Sequence, residues 1–126
     1  MEAPLPPSFD WQKAIRGKAI TLPIGIMTEY SFTGGTAGST AIAQLNGDYP
    51  CFEDGKKWAR NTQVDEWYIM FRGQAEVTLE GQAPRKLKAG KWMYRPKGAW
   101  LKSTFKNAVL EIPTIPMWTH EQCEYK

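Results

Sequence analysis

The sequence has one histidine, two cysteines and no long apolar run. A single histidine cannot supply the clusters that hold most catalytic zinc, iron or copper ions. Cys51 and Cys123 are far apart and neither has a histidine placed to activate it, so we expect reduced thiols in a cytoplasmic protein and no catalytic cysteine. The proline-rich residues 1–10 contain no apolar stretch that could act as a signal peptide or membrane span, and no membrane partner is expected.

Long runs of one charge are also missing. The chain carries 16 basic and 13 acidic residues, a formal net charge of +3, spread along its length. The nearest approach to a basic patch is the group Arg85, Lys86, Lys88 and Lys91, and lysine at such positions is typical of exposed strand edges. Without a basic motif or a nucleic-acid module, we expect no nucleic-acid partner.

What the chain has in quantity is aromatic side chains. Six tryptophans, five tyrosines and five phenylalanines occur among 126 residues, a length that suits one domain with a single core. This is more than so small a core normally needs. Some of them are therefore expected to line a pocket or an oligomer interface.

Alternating apolar residues predict an all-β fold. Residues 18–32 show a period of two, interrupted by Pro23, with one face made of Ile20, Leu22, Ile24, Ile26, Thr28 and Tyr30. After a turn at Gly34-Gly35, further strands are predicted at 39–45, 66–72, 74–80, 85–88, 91–95, 99–105 and 108–114. Frequent turns and no convincing helix predict one small antiparallel barrel or sandwich, with an N-terminal arm over residues 1–17 and a C-terminal tail over 117–126.

Two segments resemble the two sequence motifs of the cupin superfamily. In Asp65-Glu66-Trp67-Tyr68-Ile69-Met70-Phe71-Arg72-Gly73 the glutamate and the final glycine have the spacing of the first motif. In the segment 89–101, Gly90, Pro96 and Gly98 have the spacing of the second. The resemblance covers roughly residues 38–116 and implies a cupin jelly-roll barrel.

The metal ligands of the superfamily are missing from these motifs. Cupins place two histidines shortly before the glutamate and a third after the last glycine, and the four side chains bind a divalent metal. Here those places hold Ala59 and Asn61, or Arg60 and Thr62, and then Leu101, so only Glu66 is a ligand type. We therefore expect neither metal nor cofactor. Within the superfamily the chain looks most like the histidine-poor branch that includes the ethanolamine-utilisation (EutQ-type) cupins.

The alternation of a strand assigns faces around Glu66. If Glu66 points into the barrel, as the cupin glutamate does, Tyr68 and Met70 point inward with it. Trp67 and its alternate neighbours Ile69 and Phe71 then face outward. Such an apolar row has to be covered by another sheet layer or a second subunit, and a homodimer is expected.

The same reasoning predicts the contents of the pocket. Glu66, Tyr68 and Tyr94 are the predicted catalytic residues, and the predicted substrate-binding residues are Asn61, Met70, Arg95, Leu101, Ser103 and Phe105. Glu66 is either a desolvated proton shuttle or a relic, hydrogen-bonded to Tyr68 or salt-bridged to Arg60 or Arg95. His120 joins the site only if the C-terminal tail folds back over the barrel mouth.

Three functions fit these residues. The first is a metal-independent enzyme of isomerase, lyase or decarboxylase, dehydratase or cyclase type, acting by acid–base chemistry on a small carbonyl or aromatic compound. The second is a non-catalytic small-molecule-binding or accessory protein. The third, implied by the ethanolamine-utilisation resemblance, is an acyl-phosphate or nucleotide function, for which the chain offers no glycine-rich phosphate loop.

Overall fold

The computed structural model describes residues 3–32, 38–51 and 54–126, which form a curled antiparallel sheet. Short 3-10 turns at Trp11–Lys13 and His120–Gln122 are the helical elements of this part of the chain. The strands are β1 (Ala14–Leu22), β2 (Gly25–Phe32), β3 (Gly38–Tyr49), β4 (Ala59–Asn61), β5 (Asp65–Leu79), β6 (Arg85–Lys88), β7 (Trp92–Arg95), β8 (Leu101–Ile115) and β9 (Cys123–Tyr125). The predicted all-β class is confirmed, and the predicted turn at Gly34-Gly35 lies outside the described residues.

The sheet is organised around its two longest strands, β5 and β8. Strand order runs β1-β2-β3-β8-β4-β9, and β5 pairs with β8 on one side and with β6 and β7 on the other. Because the sheet curls, the inward faces of these strands meet in one apolar core. Its most deeply buried side chains include Ala43, Met70, Val77, Leu101 and Leu110.

The first predicted strand is in fact a hairpin, and this changes which side chains face inward. Pro23 and Ile24 form a two-residue loop, because Leu22 pairs with Gly25 across β1 and β2. Met27 therefore pairs with Ile20 and shares its face, whereas Ile26 is 41% exposed. The predicted single alternating face was wrong beyond Pro23, since the turn shifts the inward positions by one residue.

Two predicted strand breaks are bulges within continuous strands. β5 runs through Gly73 and β8 runs through Asn107, and the pairing register shifts next to both. Gly73 has φ +73°, and a β-carbon there would lie 2.1 Å from the carbonyl oxygen of Asn107. Glycine is required at this point because the two backbones approach too closely for any side chain.

Both chain ends pack onto the sheet more fully than predicted. β1 begins at Ala14, within the predicted arm, and β9 pairs with β4 inside the predicted tail. The N-terminal arm crosses the outer face of the sheet, where Trp67 Nε1 donates a hydrogen bond to the Pro4 carbonyl oxygen at 2.9 Å. The arm thus covers Trp67, one member of the apolar outward row.

In the part of the chain that the structure describes, no helix is long and apolar enough to cross a membrane.

Candidate functional site

A cavity opens between the inward faces of β2, β3, β5, β7 and β8. It has a volume of about 650 Å³, solvent at its mouth included. Most of its wall is apolar, and the polar or charged side chains that line it come from different strands. Its lining includes Met27, Glu29, Ser39, Ala41, Tyr49, Glu66, Tyr68, Arg95, Phe105, Ile112, Thr114 and Trp118.

The pairing register lines up the polar residues at one level of the cavity. Glu66 on β5 pairs with Arg95 on β7 and, on its other side, with Thr114 on β8. Thr114 in turn pairs with Ser39 on β3, and their hydroxyl oxygens are 2.7 Å apart. Four neighbouring strands therefore present one polar row to the cavity.

Glu66 and Arg95 form a buried ion pair within this row. Arg95 Nη1 lies 3.3 Å from Glu66 Oε1, and the two side chains are 5% and 7% exposed, arginine first. Arg95 Nη2 also donates to the carbonyl oxygen of Ala59 at 2.8 Å. Burial opposes the positive charge of Arg95, but Glu66 and the nearby tyrosines outweigh it and raise the arginine pKa further. Of the ion-pair partners proposed for Glu66, Arg95 is the one observed, since Arg60 pairs with Glu124 instead.

Two tyrosines contact the same cavity with their hydroxyls held neutral. Burial is the main cause that raises the pKa of Tyr68 to about 12, while Arg95 acts in the opposite direction. Burial likewise raises the pKa of Tyr49 well above its usual 10. A phenol that stays protonated is a hydrogen-bond donor at neutral pH. Both residues are therefore suited to bind or stabilise an oxygen atom that carries negative charge.

Glu29 is a second carboxylate in the cavity, which the sequence reasoning missed. It projects from β2 on the same face as Met27 and is half-buried. No hydrogen bond or ion pair joins its carboxylate to any residue within the described ranges, and burial raises its pKa from the ordinary 4.5. The sequence signal that could have found it is the Pro23-Ile24 loop, because a two-residue hairpin there places odd-numbered residues of β2 inward.

The structure brings only part of the predicted site together. Glu66, Tyr68, Arg95 and Phe105 line the cavity. Met70 and Leu101 are at most 1% exposed and belong to the hydrophobic core below it. The catalytic and binding roles proposed for these residues stay predictions.

Ser103 occupies a position next to the cavity but not in its wall. Its side chain is buried, and its hydroxyl lies close enough to that of Tyr68 to lower the pKa of the tyrosine against the larger effect of burial. Ser103 is thus a neighbour of Tyr68 that does not line this cavity.

Tyr94 and Asn61 lie elsewhere, which corrects their predicted placement. Tyr94 pairs with Trp67 and so faces outward, where its hydroxyl donates to Asp65 Oδ1 at 2.8 Å. Asn61 Oδ1 accepts hydrogen bonds from the backbone N–H groups of Gln63 and Val64. Asn61 therefore stabilises the turn before β5, as asparagine commonly does, and neither residue lines the cavity.

The C-terminal segment folds back over the barrel, but it brings a different residue from the one considered. Trp118 lines the cavity, and its backbone N–H donates to Ser39 Oγ at 3.0 Å. His120 is exposed and contacts the ring of Trp118 and the hydroxyl of Tyr125. Cys123 is half-buried, and burial followed by the nearby Glu66 carboxylate raises its pKa, which disfavours a reactive thiolate.

The residues at the cupin metal positions do not fit a metal. Asn61 is held by Gln63, Val64 and Gln122, Leu101 is apolar, and Glu66 is paired with Arg95. Among residues 3–32, 38–51 and 54–126, no three histidine, cysteine, aspartate or glutamate side chains are grouped so that they could hold a metal ion.

Comparison with solved structures identifies the architecture. The chain superimposes on Pac13, a nucleoside dehydratase, with a TM-score of 0.62 and 8% identity over 94% of this chain and 89% of that one. A variant of the Streptomyces Pac13 protein solved with uridine matches equally well. It also matches a cupin-2 domain protein of Shewanella frigidimarina, with a TM-score of 0.54 and 18% identity over 70% of this chain and 78% of the other. The fold is that of the cupins.

A third structural neighbour is KdgF from Halomonas, with a TM-score of 0.58 and 13% identity over 86% of this chain and 93% of KdgF. No family model matches the sequence, and no curated protein matches it. These likenesses show the cupin fold, which confirms the fold that the sequence motifs implied. The resemblance to the ethanolamine-utilisation branch stays a prediction.

Proposed function

We propose that this protein is a cupin enzyme that performs acid–base chemistry, without a metal, on a small organic compound bound in the cavity. The observation that carries the proposal is the convergence of Glu66, Arg95 and Tyr68 in one mostly apolar cavity. A carboxylate fixed by a guanidinium accepts a proton from a defined direction, and a neutral phenol two residues along the same strand donates a hydrogen bond. Together these groups suit a lyase, dehydratase or isomerase reaction.

The division of roles follows from the environments of the side chains. Glu66 is the proposed base, and Arg95 orients its carboxylate. Tyr68, with its pKa raised to about 12, stays protonated and is the proposed donor to a substrate carbonyl or enolate oxygen. That a nucleoside dehydratase has the same fold supports a reaction of this class, although the sequences are only 8% identical.

The experiment compares wild-type protein with Glu66→Gln and with Glu76→Gln. Glu76 lies on the same strand but is exposed, so its variant controls for loss of one carboxylate. Each protein is incubated with a small-molecule extract, and untargeted mass spectrometry follows compounds that lose water or carbon dioxide or that isomerise. We expect one compound to change with wild type and Glu76→Gln but not with Glu66→Gln. Equal conversion by folded Glu66→Gln would rule out its central role.

The Glu66–Arg95 contact also favours a second candidate, a small-molecule-binding protein without turnover. Arg95 already occupies Glu66 Oε1, so in this proposal the buried pair shapes the pocket and takes no part in proton transfer. Under this proposal a compound copurifies with the protein and is recovered unaltered after prolonged incubation. Any chemical change in that compound would exclude the binding-only function.

A further inference from the structure

The charges that line the cavity do not balance. Its charged lining residues are Glu29, Glu66 and Arg95, two carboxylates and one guanidinium. Because Glu66 and Arg95 neutralise each other, the excess negative charge belongs to Glu29. Within the described residues no cation contacts Glu29.

An anionic ligand has little to bind in this cavity. The guanidinium of Arg95 is already engaged by Glu66 Oε1 and by the Ala59 carbonyl oxygen. A ligand carboxylate or phosphate would have to displace Glu66 and would also be repelled by Glu29. Both effects disfavour acids in a site of reduced dielectric constant.

A cationic ligand would meet the opposite conditions. Burial makes the negative charge of Glu29 costly, and an ammonium group at that position would relieve the cost. The rings of Tyr49, Tyr68, Phe105 and Trp118 form much of the surrounding wall. Aromatic faces attract cations and also bind the apolar body of a small amine.

We infer that the ligand of this cavity is a small organic amine, with Glu29 as the counter-ion of its ammonium group. The inference rests on the proposed use of the cavity as a ligand site and adds the charge class of the ligand. The pairing register supports it, because Glu29 pairs with Ala41, which pairs with Ile112. Ala41 and Ile112 are two residues along their strands from Ser39 and Thr114, so Glu29 lies one inward level from the Glu66 row and three strands away from Glu66. Both carboxylates line the same cavity.

The test is a binding experiment that needs no turnover. The fragment set contains equal numbers of small ammonium, carboxylate and uncharged aromatic compounds. Ligand-observed NMR measures their binding to wild-type protein, Glu29→Gln and Glu121→Gln. Glu121 is exposed on the His120–Gln122 turn and serves as the matched control. We expect ammonium compounds to predominate among the binders, and their affinity to fall about tenfold in Glu29→Gln, the loss expected for one partly screened charge pair.

Each outcome decides the inference. Unchanged affinity of the ammonium compounds for folded Glu29→Gln, a predominance of carboxylate binders, or no ammonium binder at all would overturn it. An equal loss of affinity in Glu121→Gln would also overturn it, because the effect would then be one of net charge. These results leave the proposed Glu66 chemistry standing, whereas turnover by Glu66→Gln would remove that chemistry without changing binding at Glu29.

Discussion

At the scale of single residues, the buried Glu66–Arg95 pair predicts a large asymmetry in stability. Arg95→Met leaves the Glu66 carboxylate and the Ala59 carbonyl oxygen without their partner. Removing one member of a buried pair costs about 3–5 kcal/mol of unfolding free energy, whereas an exposed pair contributes less than about 1 kcal/mol. Urea unfolding should therefore show a large loss for Arg95→Met and a small one for Arg60→Met, which breaks the exposed pair with Glu124.

The double variant Glu66→Gln/Arg95→Met separates ion pairing from packing. Because it removes the uncompensated charge, it should recover part of the stability lost in Arg95→Met. If the double variant is as unstable as the sum of the two single variants, the side chains contribute by packing alone.

Glu29 should make the folded protein less stable as the pH rises. A carboxylate whose pKa is lowered by folding has the opposite effect. Its folded-state pKa is raised above 4.5, so the folded protein binds this proton more tightly than the unfolded chain does. The charged side chain is therefore destabilising once the pH rises above the folded-state pKa, and it has no effect below the unfolded-state pKa. We expect Glu29→Gln to melt at a higher temperature than wild type near neutral pH and at the same temperature near about pH 3.

The gain should be small, since solvent screens a half-exposed carboxylate. Glu121→Gln supplies the baseline for an exposed glutamate. A melting temperature of Glu29→Gln below that of wild type at neutral pH would show that Glu29 makes a stabilising contact in the folded protein.

At the scale of elements, the opposed bulges of β5 and β8 predict a steep cost for one added methyl group. In Gly73→Ala the new β-carbon would overlap the Asn107 carbonyl oxygen. The alanine backbone would also have to keep φ +73°, which is unfavourable for a residue with a side chain. Gly81→Ala has a similar φ of +83° but meets nothing within 4 Å. We expect losses of about 2–5 kcal/mol for Gly73→Ala and about 1–2 kcal/mol for Gly81→Ala in urea unfolding. Equal losses would show that the β5 and β8 backbones can move apart at the bulge.

The elements also show why some of the site was predictable and some was not. Glu66 was placed inward by its resemblance to the cupin glutamate, and Tyr68 followed by parity because the alternation of this strand is regular from its start. Glu29 was missed because its parity depends on the length of the loop at Pro23, which the alternation of apolar residues did not reveal. Pairings between residues distant in sequence, such as Asn61 with Cys123, leave no local signal at all.

At the scale of the whole molecule, an apolar surface is left on the outer face of β5 and β7. Trp67 is covered by the N-terminal arm, but Phe71 is 53% exposed and Trp92 is 36% exposed. Ile69 pairs with Trp92, so the exposed side chains are contiguous across the two strands. The N-terminal arm thus covers only part of the outward apolar row. We propose that a second copy of the chain covers the rest.

This surface predicts a homodimer that one charge disrupts. A stable two-fold interface buries about 1,200 Å² or more in total, and a carboxylate at its apolar centre would be desolvated without a partner. Phe71→Glu should therefore be monomeric in sedimentation velocity, while wild type is dimeric. Ile15→Glu, which places the same charge on a 55% exposed residue of edge strand β1, is the control and should stay dimeric. If Ile15→Glu dissociates the dimer and Phe71→Glu does not, the subunits associate through the β1 edge and not through the outer face of β5 and β7. A monomeric wild-type protein would contradict the dimer itself.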